Sequence, residues 1–444
     1  MPRALDLSPP AYTGPLHPLD KDAFKKRVPV IALRVPPRNV GTIVNAKELK
    51  NYIIRVPRLS PVVPDPHNPQ GRLLILTISD QSELSDAAKE RIQRDAEGFV
   101  DHEINLDYGF WSASDILDVC LPSELIEGAP KGFSSAGHLA HFNLNDEYLP
   151  YKHLIGSVFM DKNPQVKTVV NKLHNIDTVF RFFQMELIAG EPDFIVTHSE
   201  SNCKFTFDFS KVYWNSRLHA EHERIVKSLS PHDVLADVFA GVGPFALPAA
   251  KVGCGVLAND LNPESVKYLA QNVQQNDLED MVRVSCEDGR AFIRNVFRRL
   301  LVEPFAPYTG PRQSKTQQRK QKKREGDVEV SPTAPPTLPP RRRVTDLVMN
   351  LPDSAIEFLD AFPGVLSDPE LSELYTTMPM VHCHCFTREM EEDKAHEDIL
   401  QRVEARLGAR PEEVREIHHV RSVAPGKEMY CISFRLPEKV ARRT

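Results

Sequence analysis

VLADVFAGVGPFALPAAKVGCGVLAND, residues 234–260, decides the fold of this 444-residue chain. A short apolar run, VLADVFA, stops at Gly241-Val-Gly243-Pro-Phe245. A helical stretch follows (PFALPAAKVG, 244–253), then a second apolar run (GVLAND, 255–260). Glycines at a strand-to-helix turn let the backbone approach a ligand closely. Pro244 suits a first helical turn, where its missing N–H costs nothing. Outward from this unit the alternation continues through ESVKYLAQNVQQN (264–276), VRVSCED (282–288), RAFIRNVFRRLL (290–301), TDLVMN (345–350), SAIEFLDAF (354–362), MVHCHCF (380–386) and DILQRVEARLG (398–408). Such alternation predicts an α/β domain on a parallel sheet. VREIHHVRSVA (414–424) and MYCISFRL (429–436), joined by APGKE, read as a terminal hairpin.

The glycine pattern alone is weak, because Gly241-x-Gly243-x-x-Ala246 also fits a loose dinucleotide motif. Asp237 discriminates. A dinucleotide fold sets pyrophosphate at this helix N-terminus, and a carboxylate entering the turn would repel it. S-adenosylmethionine has no phosphate and carries an amino group that a carboxylate can pair with. Asp260 falls 19 residues after Gly241, where an acid meets ribose hydroxyls in doubly wound folds. The third strand ends in Glu287-Asp288-Gly289, where an acid can accept from an adenine amino group and the next N–H can donate to the ring. Three acidic strand ends in order favour adenosylmethionine. The plain alternative is three ordinary αβ turns.

The fourth strand ends in Asn350-Leu351-Pro352, at the sheet edge where such folds bind ligands. Asn can donate and accept around a planar base, and proline stiffens the turn. The segment resembles the N-P-P-Y turn of amino-methyltransferases that act on bases. Upstream, in VYWNSRLHAEHERIVKSL, Ser216 could cap a helix with Leu218, Ile225 and Leu229 on its buried face. Arg217, Glu221 and Arg224 recur along one side, as a surface ladder or as part of a site.

Composition bounds the rest. The chain is 41% hydrophobic and 26% charged with a net charge of −6, which excludes wholesale disorder and binding to nucleic acid by bulk charge. No run approaches the ~20 apolar residues of a membrane span. Seven scattered cysteines without a C-x-x-C argue against a disulfide framework or structural zinc, so no metal is expected. The first residues show neither a secretory signal nor a strong mitochondrial presequence. Residues 1–70 hold 13 of the 37 prolines; VIALRV (30–35) and LLILTI (73–78) read as strands there, and 84–99 as a helix. HLAHFNL (138–144) and HLIGSVFMDK (153–162) read as strands, VKTVVNKLHNI (166–176) as a short helix, and KFTFDFSKVYW (204–214) as β-rich. Residues 303–343 carry eight prolines, and Arg312–Arg343 has ten Lys/Arg against three Asp/Glu. This predicts a disordered basic surface insertion able to touch an anionic polymer.

FDFSKVYWNSRLHAEH, DVFAGVGPFALPAAK, ANDLNPES, VMNLPDSAIEFLDAF and HVRSVAPGKEM together closely resemble the eukaryotic and archaeal tRNA (guanine-37-N1)-methyltransferase family. GHLAHFNL, HLIGSVFMDKNP and FRFFQMELIAGEPD match it as well, so the resemblance spans about residues 125–440. It implies a class I, Rossmann-like methyltransferase domain over 226–440, a β-rich RNA-facing domain over 125–225 and a small tRNA-elbow-docking α/β domain over 29–124, behind an extended leader, 1–28. It implies methylation of N1 of the guanosine 3′ of the anticodon by S-adenosylmethionine. By motif, Glu221 would be the general base, Asn350 would sit beside the base, and Arg181 would contact the guanine and polarise O6. Tyr213 and Arg217 would touch the substrate. His222, Asp237, Phe239, Gly241, Gly243, Asp260, Leu261, Asp288, Gly289, Asn350 and Pro352 would hold the cofactor. One departure is visible: the family commonly has N-P-R-L where this chain has Asn215-Ser216-Arg217-Leu218. A tRNA with G at position 37 is the implied partner, with a monomer in cytoplasm and nucleus and a mitochondrial matrix pool.

Three rivals stay in view. An aminocarboxypropyl transferase of tricyclic-base synthesis shares the fold and the tRNA site, but a base placed for a ring nitrogen favours methyl transfer. A non-enzymatic RNA-binding scaffold would be expected to lose Asp237, Asp260 or Glu221. An NAD-dependent enzyme conflicts with Asp237. His382-Cys383-His384-Cys385 alternates on a strand, so one ion cannot easily collect all four, and a core strand is the expectation. His418, His419 and Trp111 read as structural.

Overall fold

The computed structural model describes residues 5–176, 183–310 and 338–444. Arg181, and residues 311–337 of the basic insertion, lie outside the described residues. The chain divides into two compact units, one of residues 1–133, 140–171 and 187–191, the other of 134–139, 172–186 and 192–444. The span 125–225 is thus shared between them.

The first unit contains a four-stranded antiparallel sheet in the order Val62–Asp65, Asn68–Ile75, Lys26–Val35, Gly98–Leu106. Ser85 caps the helix Asp86–Asp95 by accepting the Ala88 N–H. Trp111 is structural, buried with its Nε1 donating to the Leu7 carbonyl at 2.8 Å. Two sequence expectations are exchanged here. Residues 152–162 form a helix, because Leu154, Ile155, Val158 and Phe159 recur at helical spacing and are buried. Thr168–Ile176 is a strand, as its β-branched Thr-Val-Val start favours.

The second unit is organised by seven strands: β1 (Val234–Asp237), β2 (Gly255–Asn259), β3 (Val282–Ser285), β4 (Asp346–Met349), β5 (Met380–Thr387), β6 (Val414–Ala424) and β7 (Lys427–Arg435). Their order is β3-β2-β1-β4-β5-β7-β6. The first five run parallel, as the alternation predicts, and β7 pairs antiparallel with both β5 and β6. Helices α1 (His219–Lys227), α2 (Ala246–Lys251), α3 (Pro263–Gln275) and α4 (Gly289–Val302) accompany them. β1, β2 and β4 are almost wholly buried, as strands covered by helices require. A hairpin, Ile195–Glu200 with Cys203–Asp208, is tied to α3: the Thr206 and Lys204 N–H groups donate to Asn272 at 2.8 Å and Asn276 at 2.9 Å.

Chain order reverses between β1 and β4, so their carboxyl ends open the crevice where such sheets bind ligands. The described ends of the insertion meet in a two-bond bridge. Phe305 N–H donates to the Arg341 carbonyl at 3.1 Å, and Arg341 N–H returns a bond at 2.9 Å. The Arg341 guanidinium then donates to the Pro231 and Gly253 carbonyls at 3.0 and 2.7 Å.

Candidate active site

The glycine turn is closed by its own acid. Asp260 accepts the Gly241 N–H and the Asn262 N–H, each at 2.8 Å. Each carboxylate oxygen thus takes one backbone donor and keeps accepting capacity for a hydroxyl. Gly243 has a φ of +101°, and a Cβ there would meet Leu247 at 2.2 Å, so only glycine fits. Asn259, buried, ties the strand ends together. It donates to the Val238 and Glu287 carbonyls and accepts from Ser285 and the Glu287 N–H.

Asp237 ends β1 with 0% exposure, and neither of its carboxylate oxygens has a hydrogen-bond partner. Burial, then the neighbouring Asp260 charge, push its carboxyl well above the usual range, against the weaker opposing pull of the Phe239 backbone N–H. Buried polar groups are nearly always bonded, so this acid marks a place built for a cationic or donor ligand. After β3, Asp288 caps α4 by accepting the Arg290 and Ala291 N–H groups. Gly289 sits under two aromatic rings. A Cβ there would meet Phe239 at 2.9 Å and Phe358 at 3.1 Å, and those rings contact edge to face at 4.9 Å. Leu261 is half-exposed next to Asp260. The donors, acceptors and aromatic floor fit an adenosine carrying a charged amino-acid tail.

The Asn350-Leu351-Pro352 turn is anchored from β5, where the Phe386 N–H donates to the Pro352 carbonyl at 2.9 Å. The Asn350 Oδ1 is buried without a partner. Glu221 lies on α1, 4% exposed. Arg224, three residues on, grips both of its oxygens at 2.7 and 2.8 Å. His384 meets Oε1 at 2.7 Å, and His418 lies 3.8 Å from Oε2. Burial opposes the charge, but Arg224 and His384 outweigh it and hold the carboxyl at about 2. Glu221 is therefore ionised at neutral pH but is a weak base while gripped.

The ladder of Arg217, Glu221 and Arg224 resolves into one pair. Among the described residues, Glu221 pairs with Arg224 and not with Arg217. Arg217 is exposed, as is Tyr213, which fits contact with a large substrate. Nearby Lys172 is pushed down to about 8 by burial and by the Arg217 charge. Asn215, not Ser216, caps this turn, accepting the Arg217 N–H at 3.1 Å. That bond closes the turn in which the family commonly carries proline.

Three participants escaped the sequence reading. Glu200, on the hairpin, receives the His222 Nδ1–H at 2.7 Å, leaving the buried His222 Nε2 unpartnered. Phe245 stands between His222 and His384, with ring centroids 4.7 and 5.7 Å away. His384 belongs to the strand expected to be core. Its two cysteines do face the apolar core, while His384 turns to Glu221. The alternation of that strand was the available signal. Atoms of Glu221, His384 and Cys431 lie within 4.8 Å of one another, but a metal ion there would have to displace Arg224.

Known proteins resemble this chain along most of its length. Residues 196–306 match the family model of the TRM5/TYW2 methyltransferase domain, and residues 113–193 match that of the TYW2 N-terminal domain. The chain is 53% identical to a tRNA (guanine(37)-N(1))-methyltransferase of Coprinopsis cinerea, covering 98% of this chain and 97% of the relative. It is 43% identical to the Schizosaccharomyces pombe protein of the same name, over 96% and 95%. In fold it is similar to wild-type Trm5b from Pyrococcus abyssi (TM-score 0.59, 22% identity, covering 91% of this chain and 99% of that one). It is likewise similar to aTrm5 in its complex with tRNALeu (TM-score 0.61, 20% identity, 92% and 100%). With sequence identity of this extent along nearly its whole length, the chain belongs to the tRNA (guanine(37)-N(1))-methyltransferase family.

Proposed function

We propose that the chain methylates N1 of guanosine 37 in tRNA, with S-adenosylmethionine as donor. The observation that carries the cofactor assignment is Asp237, fully buried, with both carboxylate oxygens unpartnered at the carboxyl end of β1. It would pair with the amino group of the methionine portion. Asp260 would take the ribose hydroxyls, Asp288 the adenine amino group, and the Phe239–Gly289 floor the ring face. His222, Gly241, Gly243, Leu261 and Pro352 would line the rest. When bound, the cofactor supplies an electrophilic methyl group on a sulfonium, and no metal is needed for that.

The remaining work is done by side chains. Guanine N1 carries a proton and is a poor nucleophile until it leaves. Glu221, ionised, would accept that proton within hydrogen-bond reach, and Asn350 would fix the base edge through its buried Oδ1. Arg181 would stabilise charge gathering on O6, and Tyr213 and Arg217 would contact the anticodon loop. The protein would act as a monomer in cytoplasm and nucleus with a mitochondrial matrix pool. Mass spectrometry of nucleosides from tRNA incubated with protein and adenosylmethionine tests the whole reading. 1-Methylguanosine at position 37 is expected. An aminocarboxypropyl adduct, or no product, would overturn it.

A further inference from the structure

Glu221 and His384 are 163 residues apart in sequence, yet they meet at 2.7 Å where neither is open to solvent. Glu221, held at about 2, is ionised and can only accept. The His384 Nε2 must therefore carry the hydrogen, which leaves Nδ1 as a lone pair, and that atom is buried without a partner. This is the arrangement by which a carboxylate and an imidazole fix each other's orientation. The pair also sits where the base is expected. β4 and β5 are in register at Val348 with His382 and at Met349 with Cys383. The next step along both strands brings Asn350 beside His384.

We propose that His384 is a positioning residue for methyl transfer. By donating Nε2–H to Oε1 it holds the Glu221 carboxylate in place for the guanine N1 proton. Arg224 alone grips both oxygens from α1, but it also reaches Glu416 on β6, so its fork is shared between two acids. His384 approaches from the sheet, on the strand next to the Asn350 turn, and ties the helix-borne base to the strand end that holds the substrate. The inference rests on Glu221 being the proton acceptor. The groups facing this carboxylate are Arg224 on α1, His384 on β5, His418 on β6 and Cys431 on β7. Beyond them, Glu416 faces Arg224 and His382 acts on His384.

The test compares His384→Leu, which fills the space without a donor, with His384→Gln, which keeps an N–H able to reach Glu221. Single-turnover methyl transfer is measured at saturating tRNA and adenosylmethionine, alongside both affinities and the melting temperature. His384→Met provides a second donor-free variant should the Leu protein not fold. The Leu or Met variant is expected to lose about 10–100-fold in rate at near-normal affinities, as a misplaced group does. Gln is expected to restore most of it. A purely structural role would change melting and affinity, and Gln would then not restore the rate. Wild-type chemistry in the donor-free variant, or no rescue by Gln, would each overturn the proposal. Glu221→Gln is run in parallel. If it is inactive while the donor-free variant is normal, only the role of His384 falls. If it is fully active, Glu221 is not the acceptor and both readings fall.

Discussion

Replacing Asp237 with asparagine should move stability and ligand affinity in opposite directions. The side chain is completely buried and both oxygens lack a partner. Leaving a buried polar group unsatisfied costs about 1–3 kcal/mol, and more when it is charged. Asn has the same shape without the charge. The ligand-free protein should therefore gain about 1 kcal/mol or more, which raises Tm by about 2–4 °C per kcal/mol in a domain of this size. The pH dependence has a definite sign. The folded-state pKa of Asp237 lies above its ordinary 3.8, so its ionisation opposes folding. That penalty grows as pH rises from 3.8 towards the folded value, and it vanishes below 3.8. The gain in the Asn protein should accordingly shrink as pH is lowered to 4. Adenosylmethionine binding should respond the other way. Removing one member of a buried, hydrogen-bonded charge pair costs about 2–5 kcal/mol, or from about 30-fold to several-thousand-fold in Kd. Scanning calorimetry without ligand and titration calorimetry with it measure the two effects. A destabilised ligand-free variant, or one that binds the cofactor normally, would refute the assignment.

Glu221→Gln keeps size but removes basicity, so single-turnover transfer should fall by about 10²–10⁴-fold with little change in cofactor affinity. The same variant carries a stability signature. The Glu221 pKa falls from 4.5 to about 2 on folding, so its stabilisation is present above 4.5 and lost as pH falls towards 2; in the Gln protein the acid side of a Tm-against-pH curve should flatten across that window. Asp260→Ala should weaken adenosylmethionine by about 1–3 kcal/mol and, because Gly241 and Asn262 lose their acceptor, should also speed amide exchange at both. Normal exchange there would mean that the turn does not depend on Asp260. Deleting residues 312–336 while keeping Arg341 should leave Tm and cofactor binding nearly unchanged and make the salt dependence of tRNA binding shallower; an unchanged slope would remove phosphate contact from its role.

What the sequence disclosed was local. The β1 turn, the acidic strand ends and the Asn350 turn each lie within a few residues, and period and residue type suffice to read them. Residues 153–176 misled because their apolar runs fit either period, and only packing of Leu154, Ile155, Val158 and Phe159 on one side decides for a helix. The carboxylate–imidazole pairs were hidden for a different reason. Glu200 with His222 and Glu221 with His384 form only when a hairpin or a distant strand is brought to α1. No spacing rule encodes such a meeting. From sequence His384 reads as part of a core strand, and its cysteine-bearing face does belong to the core.

The bridge between Phe305 and Arg341 has a consequence for how this enzyme can be modified. Arg341 is fastened to carbonyls of Pro231 and Gly253, so the two chain ends are held side by side by the methyltransferase unit itself. A longer flexible segment strung between them would add about 0.6 kcal/mol of loop-closure cost for each doubling of length. The position is therefore a port, at which a fluorescent protein, an affinity handle or a second RNA-binding module could be spliced internally while the catalytic sheet keeps its register.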